Sequence, residues 1–212
     1  MNRFPRALAP LAAVAVATPS LVAFTPVSNH AHPGQPEHTD VPYTCQTWLN
    51  GEQLDVNGYE RGFEVSAPAT VGPGDMYVTE FDPDPIYAEP AYNEELVDVH
   101  VTYALPANAR IIGYWLLGSE PTDSVSREGD ELTVHSPGAK PGGVEFDLPT
   151  LKVLLRAPGS GTLVTSPGGS SYDDLSFGWL RLHPDSQEWD AFECFVEPDD
   201  GIEFSSTEVT GR

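Results

Sequence analysis

The chain has 212 residues, with 32 acidic and 10 basic side chains and a formal net charge of -22 at pH 7. This charge repels phosphate backbones and anionic lipids, so we expect no nucleic-acid partner. Hydrophobic residues make up 40% of the chain, which is enough for a packed core and excludes global disorder. The 21 prolines and 19 glycines favour short strands joined by many turns.

The chain begins with the pattern of an export signal. Arg3 and Arg6 precede an apolar stretch, residues 7–24, that prolines interrupt. A positive start followed by a short apolar segment is typical of a cleavable signal peptide rather than a transmembrane helix. We predict a signal peptide over residues 1–31 and no integral membrane span. The pattern does not define the exact cleavage site. The protein is then secreted or held in the cell envelope.

Residues 32–40 are rich in histidine and proline and are predicted to form a flexible arm before one domain, residues 41–212. Cleavage after Ala31 would make His32 the first residue of the mature protein. A terminal amine with its own imidazole is half of a copper brace, so a copper-binding or copper-dependent protein is one alternative. The other is an arm with incidental histidines. The candidates for the second imidazole are His100, His135 and His183.

The chain has two cysteines, Cys45 and Cys194. Cys45 lies in the first predicted strand, residues 41–49, and Cys194 in one of the last, residues 191–196. An exported protein keeps such a pair oxidised, so we predict a disulfide between the two strands.

Two Asn-Gly pairs follow the first strand, and each is a strong signal for a tight turn. Asn50-Gly51 and Asn57-Gly58 are each predicted to form a turn.

Residues 82–93 contain three prolines and cannot pair continuously in a sheet. Tyr87 and Tyr92 in this loop are candidate ligand-binding residues, because exposed tyrosines stack on sugar rings or form partner contacts. The loop carboxylates could also bind calcium, although their spacing matches no EF-hand. The alternative is a solvated loop whose tyrosines fold back on the sheet. The carboxylates are Asp82, Asp84 and Glu89.

Residues 95–118 form the most apolar stretch of the domain. Their first half alternates apolar and polar residues, as in a half-buried strand, and residues 111–117 are almost wholly apolar, as in a strand buried on both faces. We predict a central β-hairpin, with Trp115 in the core.

Later in the chain, residues 151–157 are predicted to form a strand with Lys152 and Arg156 on one face. This face either meets an acidic partner or is the solvent side of an edge strand.

Catalytic patterns are weak throughout. The chain has no G-x-S-x-G, H-E-x-x-H or C-x-x-C motif. His183, Asp185 and Ser186 are close in sequence, but a proline-containing turn explains them more simply. No catalytic residue is therefore assigned.

Roughly ten short strands at spacings of about 8 to 12 residues indicate an all-β domain, either a sandwich or a closed sheet. Scattered short motifs add a resemblance that covers most of residues 41–210. In their order and form they resemble uncharacterised secreted or envelope proteins of mycobacteria and related actinobacteria. The resemblance implies export and an immunoglobulin-like β-sandwich, and it transfers no catalytic residue. The motifs are Tyr43-Thr44-Cys45, Ala67–Val71 before Pro73-Gly74, Pro106–Ala109, Gly142-Gly143 with Phe146, Leu148 and Pro149, and Cys194.

The sequence therefore predicts an exported, non-enzymatic envelope or binding module of unknown ligand. One alternative is the copper protein that uses His32. The other is a carbohydrate-binding module that uses Tyr87, Tyr92 and a surface tryptophan.

Overall fold

The structure, a computed structural model, describes residues 30–31 and 34–211. Residues 1–29 of the predicted signal peptide and His32 lie outside these residues. The described chain is all-β, and it contains no helix long and apolar enough to cross a membrane. Its only helical element is a 3-10 turn over Pro198–Asp200. The strands are β1 (His30–Ala31), β2 (Glu37–Leu49), β3 (Glu52–Ser66), β4 (Thr70–Val71), β5 (Met76–Pro83), β6 (Ile86–Tyr87), β7 (Glu95–Ala104), β8 (Arg110–Leu117), β9 (Ser124–Glu128), β10 (Glu131–Ser136), β11 (Lys140–Pro141), β12 (Glu145–Phe146), β13 (Thr150–Arg156), β14 (Gly161–Pro167), β15 (Phe177–Leu182), β16 (Trp189–Phe195) and β17 (Ser205–Val209).

The longer strands are hydrogen-bonded in the order β8–β13–β5–β3–β2–β16–β15–β7–β10–β9. Strands β14, β17 and β4 extend from the end of β7, and β6 pairs with β12 in a separate short ribbon. The first long strand begins at Glu37, four residues before its predicted start, so that Glu37–Asp40 pair with β3.

The long hairpin of β2 and β3 belongs to two layers. One end of β3, residues 63–66, pairs with β5, whereas residues 44–47 of β2 pair with β16. The layers meet face to face, because Phe81 of β5 lies 4.6 Å from Tyr103 of β7, centroid to centroid, and Phe63 of β3 lies 6.1 Å from the same ring. This packing buries a single aromatic and aliphatic core and makes the domain sandwich-like.

The predicted disulfide is formed between Cys45 and Cys194. The two residues are directly opposite each other in the β2–β16 pairing, and both are buried. The bond therefore ties the first long strand, β2, to β16, across a sequence separation of 149 residues.

The first Asn-Gly prediction is confirmed and the second is wrong. Asn50 and Gly51 have positive φ and close the two-residue turn between Leu49 and Glu52. Asn57-Gly58 instead lies inside β3, at a shift in register that leaves an extra residue in the strand. Gly58 has a φ of 71°, which a β-bulge accepts as readily as a turn does. An Asn-Gly pair indicates a residue with positive φ. Whether that residue belongs to a turn or to a β-bulge depends on how the flanking residues pair.

We expect Gly58→Ala to lower the free energy of unfolding by about 1 kcal/mol, because a Cβ is disfavoured at positive φ. A Cβ at Gly58 would meet no atom within 4 Å, so the effect would come from the backbone alone. Gly159→Ala is the matched control, since that glycine is equally unobstructed and has no positive φ. Urea unfolding of both variants tests this; equal midpoints would contradict it.

The predicted central hairpin is wrong in its second half. Val99, Val101 and Tyr103 of β7 are buried, as the alternation indicates. Strand β8, however, pairs with β13 in the other layer and lies at the end of the sheet. Trp115 is 42% exposed, so its assignment to the core is also wrong. The proline-containing link between β7 and β8 carries the chain from one layer to the other instead of folding it back.

The prediction of an edge strand over residues 151–157 is wrong as well. Strand β13 lies between β5 and β8. Lys152 Nζ is 2.7 Å from the carboxylate of Glu80 on β5, so the acidic group that faces it belongs to this chain. Arg156 lies opposite Arg110 of β8.

Candidate functional site

A cleft of about 660 Å³ opens beside the β2–β3 turn. The ends of β2 and β3 form one wall, the chain that follows β6 forms another, and β15 with its following turn forms the floor. A volume of this size is usual for a ligand pocket. The lining residues are Thr47, Leu49, Leu54, Asp55, Val56, Asn57, Tyr59, Tyr87, Ala88, Glu89, Ala91, Tyr92, Asn93, Trp179, Arg181, His183, Asp185 and Phe192.

Both tyrosines predicted from the sequence line this cleft. Tyr87 is 57% exposed and Tyr92 is 59% exposed, so neither ring folds back into the core. Strand β6 holds Tyr87 opposite Glu145 of β12. The backbone N–H of Tyr92 donates to the carbonyl oxygen of Glu89 at 3.0 Å, and the buried Asn93 side chain donates to the same oxygen at 2.9 Å. The β6–β12 ribbon thus positions the Tyr87 ring at the cleft, and the hydrogen-bonded turn positions the Tyr92 ring there.

The inner part of the cleft is aromatic. Trp179 of β15 stacks on Phe192 of β16, with ring centroids 4.5 Å apart and an interplanar angle of 17°. Tyr59 of β3 meets the Phe192 ring edge-on at 5.1 Å. Burial raises the pKa of Tyr59 to about 12.

Two buried N–H groups, on side chains that line the cleft, have no acceptor in the described part of the chain. They are Nε1 of Trp179 and Nε of Arg181. The side chains are only 6% and 7% exposed, so water cannot readily hydrate them. A buried donor without a partner costs roughly 1 to 3 kcal/mol. Both nitrogens have almost no accessible surface, so a ligand oxygen would pair with them only after the surrounding side chains shift, and that pairing would remove the cost.

Arg181 also holds the walls of the cleft together. Its Nη2 donates to the Trp48 carbonyl oxygen at 3.0 Å, and its Nη1 donates to the Tyr92 carbonyl oxygen at 3.4 Å. Burial lowers the pKa of Arg181, and the negative charge of Asp190, opposite it on β16, acts in the other direction. The guanidinium therefore positions the Tyr92 turn while leaving Nε unpaired.

Carboxylates of Asp55, Glu89 and Asp185 also line the cleft, and all three residues are exposed. Buried His183 does not pair with the Asp185 carboxylate; its Nδ1 accepts a hydrogen bond from the Asp185 backbone N–H at 3.2 Å. This is the proline-containing turn that the sequence indicates. The cleft therefore combines stacking surfaces, buried donors and exposed acceptors.

Of the other predicted ligand residues, Glu89 and His183 line the cleft, and His100, His135, Asp82 and Asp84 do not. His100 and His135 face each other on β7 and β10, with ring centroids 6.4 Å apart. Burial is the main cause of the lowered pKa of His100. Asp82 accepts a hydrogen bond from the Thr150 hydroxyl at 2.7 Å. Over residues 30–31 and 34–211, no three His, Cys, Asp or Glu side chains group into a metal site.

Sequence reasoning missed Trp179, Arg181 and His183 as a set. They are spaced two residues apart from β15 into its following turn, and all three line the cleft. An arginine between two buried aromatic positions was the available signal, because a buried cation needs a structural or binding role.

A scan of protein-family models finds no match to this chain, and a search of curated proteins finds none either.

Proposed function

We propose that this protein is an exported, non-enzymatic carbohydrate-binding module, and that the cleft between Tyr92 and Trp179 holds the sugar. The observation that carries the proposal is a cleft with two exposed tyrosine rings, Tyr87 and Tyr92, whose inner lining residues Trp179 and Arg181 each keep a buried N–H donor without an acceptor. Export and an immunoglobulin-like sandwich are part of the same proposal, supported by the signal-like start, the disulfide and the resemblance to secreted actinobacterial proteins.

The polar groups of the cleft favour a ligand that both donates and accepts. Trp179 and Arg181 offer N–H groups, whereas Asp55, Glu89 and Asp185 offer only acceptor oxygens. A sugar hydroxyl can satisfy either kind of group. A purely apolar ligand would leave the buried donors unpaired, as they are in the free protein, and so would gain nothing from them.

The charge of the site favours a neutral ligand. Three carboxylates face a single guanidinium in the cleft, and the chain as a whole carries -22. A polyanion would be repelled by both. The exposed rings of Tyr87 and Tyr92 add surfaces on which the C–H face of a neutral sugar can stack.

We expect Tyr87→Ala and Tyr92→Ala each to weaken binding of a neutral oligosaccharide by about fivefold, since one stacking contact contributes roughly 1 kcal/mol. A panel of immobilised neutral and acidic oligosaccharides first finds the sugar, and isothermal titration calorimetry then measures its affinity for each variant. Both rings are exposed, so thermal stability should stay close to that of the wild type.

Trp189→Ala is the matched control, because Trp189 is 48% exposed but does not line the cleft. Its affinity should equal that of the wild type. The proposal fails if no oligosaccharide binds at millimolar concentration, or if Trp189→Ala weakens binding as much as the two tyrosine variants do.

A further inference from the structure

A buried arginine outside the cleft contacts the segment that carries the cleft tyrosines. Arg61 lies on the inward-facing side of β3, between Tyr59 and Phe63, and is only 7% exposed. Its Nη1 donates to the Pro85 carbonyl oxygen at 3.1 Å, and its Nη2 donates to the Asp84 carbonyl oxygen. Arg61 itself does not line the cleft.

Arg61 and Arg181 share one arrangement. Both are buried, and along the part of the chain that the structure describes neither guanidinium forms an ion pair. Arg61 donates to the first two residues of the tyrosine segment, residues 84–93, and Arg181 donates to Tyr92 near its end. The two cations therefore hold opposite ends of the segment through backbone carbonyl groups.

The tyrosine segment has few other attachments. Two of its residues are prolines, which have no N–H to donate. Over the described residues its only strand pairing is the two-residue β6–β12 ribbon, which is separate from the main sheet. The backbone N–H of Asp84 donates to the Gly62 carbonyl oxygen at 2.9 Å. The start of the segment is thus joined to β3 by this bond and by the two bonds from Arg61.

An apolar side chain at position 61 would fill the core without burying a charge. The Nε of Arg61 has no acceptor among the described residues, although the face of Phe177 lies 5.5 Å from the guanidinium carbon and adds a favourable contact. Replacing a buried charge by an apolar side chain of similar volume is often neutral or stabilising. The distinct contribution of Arg61 is therefore its pair of bonds to Asp84 and Pro85.

We propose that Arg61 is a positioning residue for sugar binding, which fixes residues 84–85 and so holds the Tyr87 ring at the cleft. This inference rests on the proposed carbohydrate site. Tyr87 follows Pro85 by two residues, and its other attachment is the ribbon pairing with Glu145. Tyr92 is held from the other end of the segment by Arg181. Loss of Arg61 should therefore act on binding through Tyr87 and not through Tyr92.

The test is a double-mutant cycle on the full chain, measured by calorimetric titration with the neutral oligosaccharide that binds in the panel. We expect Arg61→Met to weaken binding about threefold, less than the roughly fivefold effect of removing the Tyr87 ring. In the Tyr87→Ala background, Arg61→Met should have no further effect. In the Tyr92→Ala background, the two effects should multiply.

Hydrogen exchange of backbone amides tests the same contact without any sugar. In Arg61→Met, the amide protons of residues 86–88 should exchange at least about tenfold faster than in the wild type, because the start of the segment opens more often. The amide protons of Tyr92 and Asn93 should keep their wild-type rates, since both donate to the Glu89 carbonyl oxygen within the turn.

Thr207→Val is the matched control. The buried Thr207 hydroxyl likewise donates to a backbone carbonyl oxygen, that of Pro68 at 2.7 Å, and neither residue lines the cleft. This variant should lose stability but keep the wild-type sugar affinity and the wild-type exchange rates at residues 86–88.

Circular dichroism verifies the fold of each variant. If Arg61→Met does not fold, Arg61→Lys replaces it and should change both quantities in the same direction, because lysine keeps the charge but not the planar fork of two Nη donors. Unchanged exchange at residues 86–88, unchanged affinity, or a loss of affinity that is equal with and without Tyr87 would overturn the proposal. If no oligosaccharide binds the wild type, the proposed function fails, and the exchange rates alone decide whether Arg61 holds the tyrosine segment.

Discussion

Replacing Cys45 with serine should lower the free energy of unfolding by about 3 to 5 kcal/mol. The disulfide joins residues separated by 149 positions, and the chain-entropy relation gives about 5 kcal/mol for a loop of that length. For a domain of this size, such a loss corresponds to a fall in melting temperature of roughly 6 to 20 °C. Differential scanning calorimetry of the variant against the oxidised wild type measures it.

Two controls distinguish the effect of losing the disulfide bond from the effect of changing the cysteine side chain. Wild-type protein kept in reductant should lose a similar amount of stability, and the double variant Cys45→Ser with Cys194→Ser should resemble the single one. Cys194 is fully buried in the folded protein, so in the single variant a thiol reagent should label it only as fast as the chain opens. A melting temperature that is unchanged by Cys45→Ser would show that the bond contributes nothing to stability.

The second large effect is expected from Trp179→Phe. The substitution keeps an aromatic ring that can stack on Phe192, but it removes the unpaired Nε1–H. We expect sugar affinity to fall about tenfold, since a hydrogen bond to a buried donor contributes roughly 1 to 1.5 kcal/mol. The smaller ring leaves a cavity that lowers stability, but removing a buried donor without a partner offsets part of this loss, so the net loss should stay within about 1 to 2 kcal/mol.

This pair of results distinguishes a binding group from a structural one. A tryptophan that served only the core would cost stability when shortened and leave affinity alone. Calorimetric titration and thermal unfolding on the same samples give both numbers. Phe177→Leu is a suitable comparison, since Phe177 contacts the Trp179 ring at 5.3 Å but does not line the cleft. It should lose stability and keep its affinity.

Local patterns in the sequence predict the all-β fold well where a pattern is compatible with only one local structure. Alternation over residues 99–105 gives the buried face of β7, and Asn50-Gly51 gives the first turn. The pairing of Cys45 with Cys194 follows from their number and from the export signal. In the first two cases one short segment carries the whole signal.

The prediction fails where distant strands decide the outcome. An apolar run such as that of β8 fits a buried strand and an open edge equally well, and only its place after β13 in the sheet separates them. Asn57-Gly58 has the same ambiguity between a turn and a bulge. Asp98, with a φ of 55°, interrupts the alternation of β7 where the β15 register shifts, which no composition rule reveals.

The residues of the candidate site likewise fall into those that a local sequence signal predicts and those that depend on distant strands. The sequence predicts Tyr87 and Tyr92 as ligand-binding residues, because exposed tyrosines on a loop stack on sugar rings or form partner contacts. Trp179 and Arg181 come from a strand about 90 residues later in the chain, and their unpaired N–H groups become visible only when β15 lies beside the Tyr92 turn.

The most direct test of the carbohydrate site is an NMR titration that follows the indole N–H signals of the four tryptophans. Trp179 can be assigned from the Trp179→Phe spectrum. With a neutral oligosaccharide that binds in the panel, the Trp179 signal should shift downfield and exchange more slowly with water, as its N–H gains an acceptor. The signals of Trp115 and Trp189, which lie outside the cleft, should stay where they are. A bound sugar that leaves the Trp179 signal unmoved would contradict the account.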